Sequence, residues 1–212
     1  MSHERLIAEL VADVSPVTPL PAPRVRAARW ILLAVVAVGA VVALRGLRDN
    51  WPMALADPAF VVTTALVLAI GVSAAMLTMG LAVPGAVSRP WLRWIPPGLL
   101  IVWMAVLLID AAIDGAQLTR GGWGSSCLWK TWGIGVGPAA VLLTMARRAA
   151  PLDWRWTAGT AAIAALAFGV LGTEMICPVT SHAHIFTWHF LPVALSSAAV
   201  FGVVALWTRG RR

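Results

Sequence analysis

Six apolar runs dominate this chain, each close to the ~20 residues that a helix needs to cross ~30 Å of hydrocarbon. They lie at about 27–45, 58–80, 94–113, 128–146, 156–176 and 185–207. Backbone inside hydrocarbon must satisfy its own hydrogen bonds, so repeated runs of this length admit little besides a helical bundle. The predicted fold is all-α: a polytopic membrane protein with six transmembrane helices. Composition agrees, since 60% of the 212 residues are apolar and only 12% are charged, about half the usual charged share. The net charge of +7 does not indicate nucleic acid, because the basic residues sit in short segments between apolar runs rather than on one soluble face.

Those basic residues set the predicted orientation. With the amino terminus inside, twelve of the 16 Lys and Arg fall in cytoplasmic segments and four (Arg45, Arg48, Arg120, Lys130) fall outside. The positive-inside rule then puts both termini in the cytoplasm. Tryptophans mark the two edges as interfacial belts: Trp30, Trp91, Trp94, Trp154, Trp156 and Trp207 on one side, and Trp51, Trp123, Trp129, Trp132 and Trp188 on the other. Residues 1–26 read as a cytoplasmic lead and 27–212 as the transmembrane domain. The first long apolar run begins near Ala27, after a proline-rich lead, so no cleavable signal peptide is expected. Within the lead, Leu6, Ile7, Leu10, Val11 and Val14 make one apolar face of a short helix over residues 1–15. Its other face carries Glu4, Glu9 and Asp13. Helices that lie on lipid carry Lys and Arg there, so a protein partner suits this one at least as well as the bilayer surface.

Chemistry concentrates near the predicted outer edge. Cys127 opens the fourth run and Cys177 closes the fifth, and an oxidising compartment permits a disulfide between them. A helix N-terminus and Lys130 favour the Cys127 thiolate, which predicts Cys127 as the more reactive sulfur. Two inert, buried thiols are the alternative. Three of the four histidines (His182, His184, His189) and Glu174 cluster around Cys177. They are candidate metal or auxiliary residues, because Cys and His suit zinc and softer thiophilic ions. In an extended segment His182 and His184 would face the same way. The spacing matches no strong zinc signature, so transient capture of a heavy metal by the thiols is preferred to a resident ion, and no cofactor is expected. Asp110 and Asp114 read as boundary charges that could pair with Arg120 or Lys130. Gly133, Gly135 and Gly137 are spaced by two rather than four, which suggests local pliability or close approach rather than a packing motif. No C-x-x-C, phosphate-loop, nucleophile-elbow or H-E-x-x-H pattern occurs, so no enzyme is predicted.

Several of these features resemble one family. They are the acidic amphipathic lead, V-S-P-V-T-P-L at 14–20, a basic cluster, six runs, S-S-C-L-W at 125–129, and C-P followed by W-H-x-x-P within 177–192. The pattern is similar to the NrsF family (negative regulator of sigma F), six-helix anti-sigma factors of the bacterial inner membrane. The resemblance implies that the chain sequesters an extracytoplasmic-function sigma factor at its cytoplasmic face. It also implies release when heavy metal or oxidant reacts with periplasm-facing cysteines, here Cys127 and Cys177. The lead around Leu6–Val14 falls where sigma contact is plausible. The implied partners are that sigma factor and membrane lipid, with no direct nucleic acid. Two other readings are a quinone-coupled thiol-disulfide oxidoreductase and a small exporter. The missing C-x-x-C pair disfavours the first, and the absence of mid-span ionisable residues disfavours the second.

Overall fold

The structure, a computed structural model, describes residues 3–12, 18–87, 89–113 and 124–210. All regular structure among them is helical. The elements are α1 (His3–Ala12), α2 (Pro23–Arg45), α3 (Trp51–Ala56), α4 (Pro58–Leu81), α5 (Ile95–Ile113, preceded by a 3₁₀ turn at Pro90–Trp94), α6 (Ser125–Arg147), α7 (Trp154–Ile176), α8 (His182–Ile185) and α9 (Leu191–Arg209). A π-helical turn, Phe186–Phe190, joins α8 to α9. The predicted runs therefore coincide with α2, α4, α5, α6, α7 and the continuous segment from α8 to α9. Proline helps to set their starts: Pro58 is the first residue of α4, and the Asp57 side chain caps it by accepting from the Ala59 N–H at 3.0 Å.

Six spans were predicted, and five described helical segments are long and apolar enough to cross a membrane: Pro23–Arg45, Pro58–Leu81, Pro90–Ile113, Trp154–Ile176 and His182–Arg209. The exception is α6. It has 23 residues, as α7 does, but Lys130, Pro138 and three glycines dilute its apolar content.

The bundle is built round α7, which contacts α2, α4, α6 and α9 and is buried along most of its length. Its sequence explains this role. Alanine, glycine and threonine occupy most of its faces, so neighbouring backbones can come close. Against α6 the contact is antiparallel with a regular step. Cys127 lies opposite Cys177; one turn deeper, Thr131 and Thr173 share a 3.0 Å hydrogen bond. A further turn down, Gly135 and Gly169 meet the opposing backbone. A Cβ on Gly169 would run into the Thr131 carbonyl, and one on Gly135 would lie 3.0 Å from the Ala165 carbonyl oxygen. The packing positions are thus Thr131-x-x-x-Gly135 on one helix and Gly169-x-x-x-Thr173 on the other. Gly133 and Gly137 face open space, so of the three α6 glycines only Gly135 serves close approach.

The aromatic belts need one correction. Trp91, Trp94, Trp129, Trp132 and Trp207 are exposed as expected, but Trp30 is buried. Its Nε1 donates to the Pro138 carbonyl at 2.8 Å and its ring meets Phe168 edge-on at 5.4 Å. The indole N–H found a partner inside the bundle, so the ring did not need an interfacial position. Nearby, Arg26 is buried and donates to the Met145 carbonyl near the end of α6. The helix α1 is exposed throughout, including Leu6, Ile7, Leu10 and Val11. Val14 lies outside the described residues, and α2 starts at Pro23, four residues before the first run was expected to begin and within the stretch read as lead, because proline suits a helix's first turn.

The α6–α7 crossing predicts an asymmetric response to one added side chain. Gly169→Val should lower stability by ~1–3 kcal/mol, the range for overpacking a filled interface. Gly133→Val should be near neutral. Unfolding in detergent measured for both variants would check this; equal effects would refute the assigned contact.

Candidate functional site

At one end of the bundle, four buried side chains converge: Cys127, Cys177, His184 and His189. One ligand-competent atom from each can be chosen so that all lie within 4.8 Å of one another. Cys127 is in the first turn of α6, and Cys177 caps the end of α7 with its N–H donating to the Thr173 carbonyl at 2.8 Å. The α6–α7 register therefore sets the thiol separation, and the two Sγ atoms are 3.4 Å apart. Both thiols are free.

The imidazoles arrive from the segment that follows. His184 Nε2 lies 3.6 Å from Cys177 Sγ. His189 is five residues further on, and in an ordinary α-helix that spacing points side chains ~140° apart. The π turn removes the offset, because i→i+5 bonding adds a residue to the turn. The Leu191 N–H duly bonds the Phe186 carbonyl, and the His184 and His189 rings meet with centroids 5.4 Å apart. Pro192 accounts for the widening: it has no N–H for the Trp188 carbonyl, and its ring crowds that carbonyl in a regular helix. Both ring nitrogens of His189 are buried; neither makes a hydrogen bond of normal geometry, although the ring lies close enough to the Cys177 thiol to interact with it. Trp188 packs over Gly124 at the head of α6, where any Cβ would collide with its indole.

The other predicted candidates go elsewhere. His182 and His184 do not face the same way, because the segment is a helical turn rather than extended, and residues two apart on a helix point ~200° apart. His182 Nε2 pairs with Asp110 Oδ2 at 3.6 Å, so Asp110 reaches a histidine where Arg120 or Lys130 was expected. Asp114 and Arg120 lie outside the described residues. The Glu174 carboxylate turns to α4, where Oε2 accepts from Thr64 Oγ1 at 3.1 Å, and its Oε1 is buried without a partner. It is not among the four converging groups.

Sequence reasoning missed Arg48. Read as an outer-loop charge, it is buried and ties down the end of α7. Its backbone N–H donates to the Met175 carbonyl at 3.0 Å, and Nη1 and Nη2 donate to the Glu174 and Pro178 carbonyls at 3.3 Å each. Asn50 holds the guanidinium through Nε at 2.7 Å and also donates to Pro178. Burial pushes the Arg48 guanidinium down from its ordinary value, offset in part by Cys177 and Glu174. A cation at a helix C-terminus was the available signal, but the partner helix is over a hundred residues away. The prediction that Cys127 carries the more reactive sulfur meets a different geometry: polar contacts gather round Cys177, which is within reach of Cys127 and His184.

Chemically, two thiols at this separation can close to a disulfide with a movement of ~1.4 Å towards the ~2.05 Å bond, or share a thiophilic cation. Five described helical segments of membrane-crossing length, α7 among them, with two thiols and two imidazoles enclosed at one end of the bundle, define a helical membrane protein. The chain belongs to the NrsF family, negative regulator of sigma F, whose family model matches residues 10–209. It is an anti-sigma factor by family, and a sigma factor is its partner. No curated protein and no solved structure matches the chain.

Removing the Arg48 clamp should loosen the cysteine end. Arg48→Met leaves the Glu174 and Pro178 carbonyls without their guanidinium donor and should cost ~2 kcal/mol or more of stability. It should also slow diamide-driven disulfide formation between Cys127 and Cys177, read by a mass-tag gel shift. Unchanged rates and melting would refute the clamp.

Proposed function

We propose that this chain is a multi-pass inner-membrane anti-sigma factor that holds an extracytoplasmic-function sigma factor at its cytoplasmic face. It releases that factor when Cys127 and Cys177, on the periplasmic side, react with oxidant or thiophilic metal. The observation that carries this reading is the 3.4 Å approach of two free thiols, fifty residues apart in sequence, at one end of the bundle. Six spans with both termini inside are consistent with the antiparallel run of α6 against α7, and with the excess of basic residues at the other end. The α1 face of Leu6, Ile7, Leu10 and Val11, continued in sequence by Val14, is the proposed sigma contact, because its apolar side chains are exposed. Amphipathic helices dock apolar faces of this kind into partner grooves.

The switch must be energetically sufficient. Taking the sigma factor from 99% bound to 99% free needs ~5.5 kcal/mol of differential stabilisation. Oxidation joins the two sulfurs with loss of two protons and two electrons to the oxidant, while a metal ion replaces the two thiol protons. Either product favours whichever packing of α6, α7 and α9 best fits the linked sulfurs.

Two measurements test the proposal. A sigma factor should co-purify with the full chain and be lost when residues 1–15 are deleted. In cells, a Cys127→Ser/Cys177→Ser chain should keep the sigma factor bound under both cadmium and diamide stress. Normal release by that double variant would overturn the thiol switch.

A further inference from the structure

We propose that His184 and His189 complete a four-ligand site with Cys127 and Cys177 for a tetrahedral, thiophilic divalent cation of the zinc–cadmium type. This rests on the thiol-switch reading and deepens it: the thiols alone serve the oxidant response, and the imidazoles add a response specific to metal.

The distances fit the chemistry. Zinc–sulfur and zinc–nitrogen bonds of ~2.3 and ~2.05 Å at tetrahedral angles imply S···S and S···N separations of about 3.8 and 3.6 Å. The corresponding separations here are 3.4 Å for the two sulfurs and 3.6 Å from Cys177 Sγ to His184 Nε2. The fourth group, His189, is buried beside the Cys177 thiol with neither ring nitrogen in a hydrogen bond of normal geometry, and a buried polar group held that way costs free energy. A bound cation would take one of those nitrogens as a ligand. Two thiolates and two neutral imidazoles carry a charge of −2, which cancels a divalent ion and leaves a neutral, buried centre. Hard cations such as calcium or magnesium require mainly oxygen ligands, and the nearby carboxylate, Glu174, is turned away towards Thr64. Binding is a proton exchange without redox change: two S–H bonds break, two metal–sulfur bonds form, and two protons leave to water.

The π turn at Phe186–Phe190 is the device that makes the set. Without it, His189 would leave the face that carries His184.

The test uses the purified full chain in nanodiscs with Co²⁺ as the probe. Wild type should give the intense visible bands of tetrahedral cobalt with thiolate-to-metal charge transfer, and Zn²⁺ or Cd²⁺ should displace them. Six-coordinate-type weak bands, or no spectrum, would overturn the proposal. His184→Ala and His189→Ala should each weaken binding by at least ~10-fold, the lower range seen even for residues one shell further out. His189→Cys should restore tight binding with added charge transfer, since three cysteines and one histidine also bind zinc. Pro192→Ala should act like His189→Ala. Diamide should still join Cys127 to Cys177 in both histidine-to-alanine variants. Alanine variants that bind cobalt as wild type does would refute the ligand assignment. So would loss of disulfide formation together with failure of His189→Cys to restore binding, because the imidazoles would then be packing groups only. The two readings separate cleanly. Tetrahedral cobalt binding alongside normal cadmium-driven release in the double-serine chain would keep the site and remove the switch. Thiol-dependent release without tetrahedral binding would keep the switch and remove the site.

Discussion

The close contact of α6 with α7 is the constraint on which the rest depends. Two antiparallel helices can approach this tightly only where a side chain is missing, and Gly135 and Gly169 supply those gaps. Helical periodicity then carries the register outward in four-residue steps, through the Thr131–Thr173 hydrogen bond to the Cys127–Cys177 pair. The thiols are neighbours because the backbones beneath them touch. A wider crossing would leave two buried cysteines with no shared chemistry.

A second constraint acts on the histidines. Pro192 cannot complete the regular ladder, so the chain widens into a π turn, and that extra residue brings His189 round to His184. Arg48 acts on the remaining side by holding the carbonyls at the end of α7. The cluster is therefore fixed from three directions: glycine packing below, a proline-induced turn beside it, and a guanidinium clamp at the helix end. Its burial means that the low local polarity magnifies any change in charge there.

The same helices reach the opposite end. Trp156 in α7 meets Trp94 and Phe201 edge-on at 4.9 and 5.3 Å, and Arg93 lies over the Trp156 ring. On the site side, Phe190, next to His189, meets Trp103 of α5 at 5.3 Å. These edge-on pairs tie the turn before α5 to α7, α7 to α9, and the π turn to α5.

Much of this protein was legible in its sequence because hydrocarbon is a demanding solvent. Run length identified helices at α2, α4, α5, α6, α7 and α8–α9, and proline identified the start of α4, since both signals are local. The candidate cysteines were legible as the only two in the chain, and the family as a pattern of short motifs. What remained illegible depended on contacts between distant segments. Arg48 looked like a loop charge because its acceptors lie more than a hundred residues onward. Gly135 could not be told from Gly133 and Gly137 until the face against α7 was known. His182 and His184 looked equivalent because an extended segment was assumed, and a helical turn sent one to Asp110 and the other to Cys177. The sequence by itself determined a helical, membrane-adapted chain with its reactive groups near helix ends, because length and polarity suffice for that. Only the tertiary structure decided which of those groups meet, because helix register and a single π turn are set by packing.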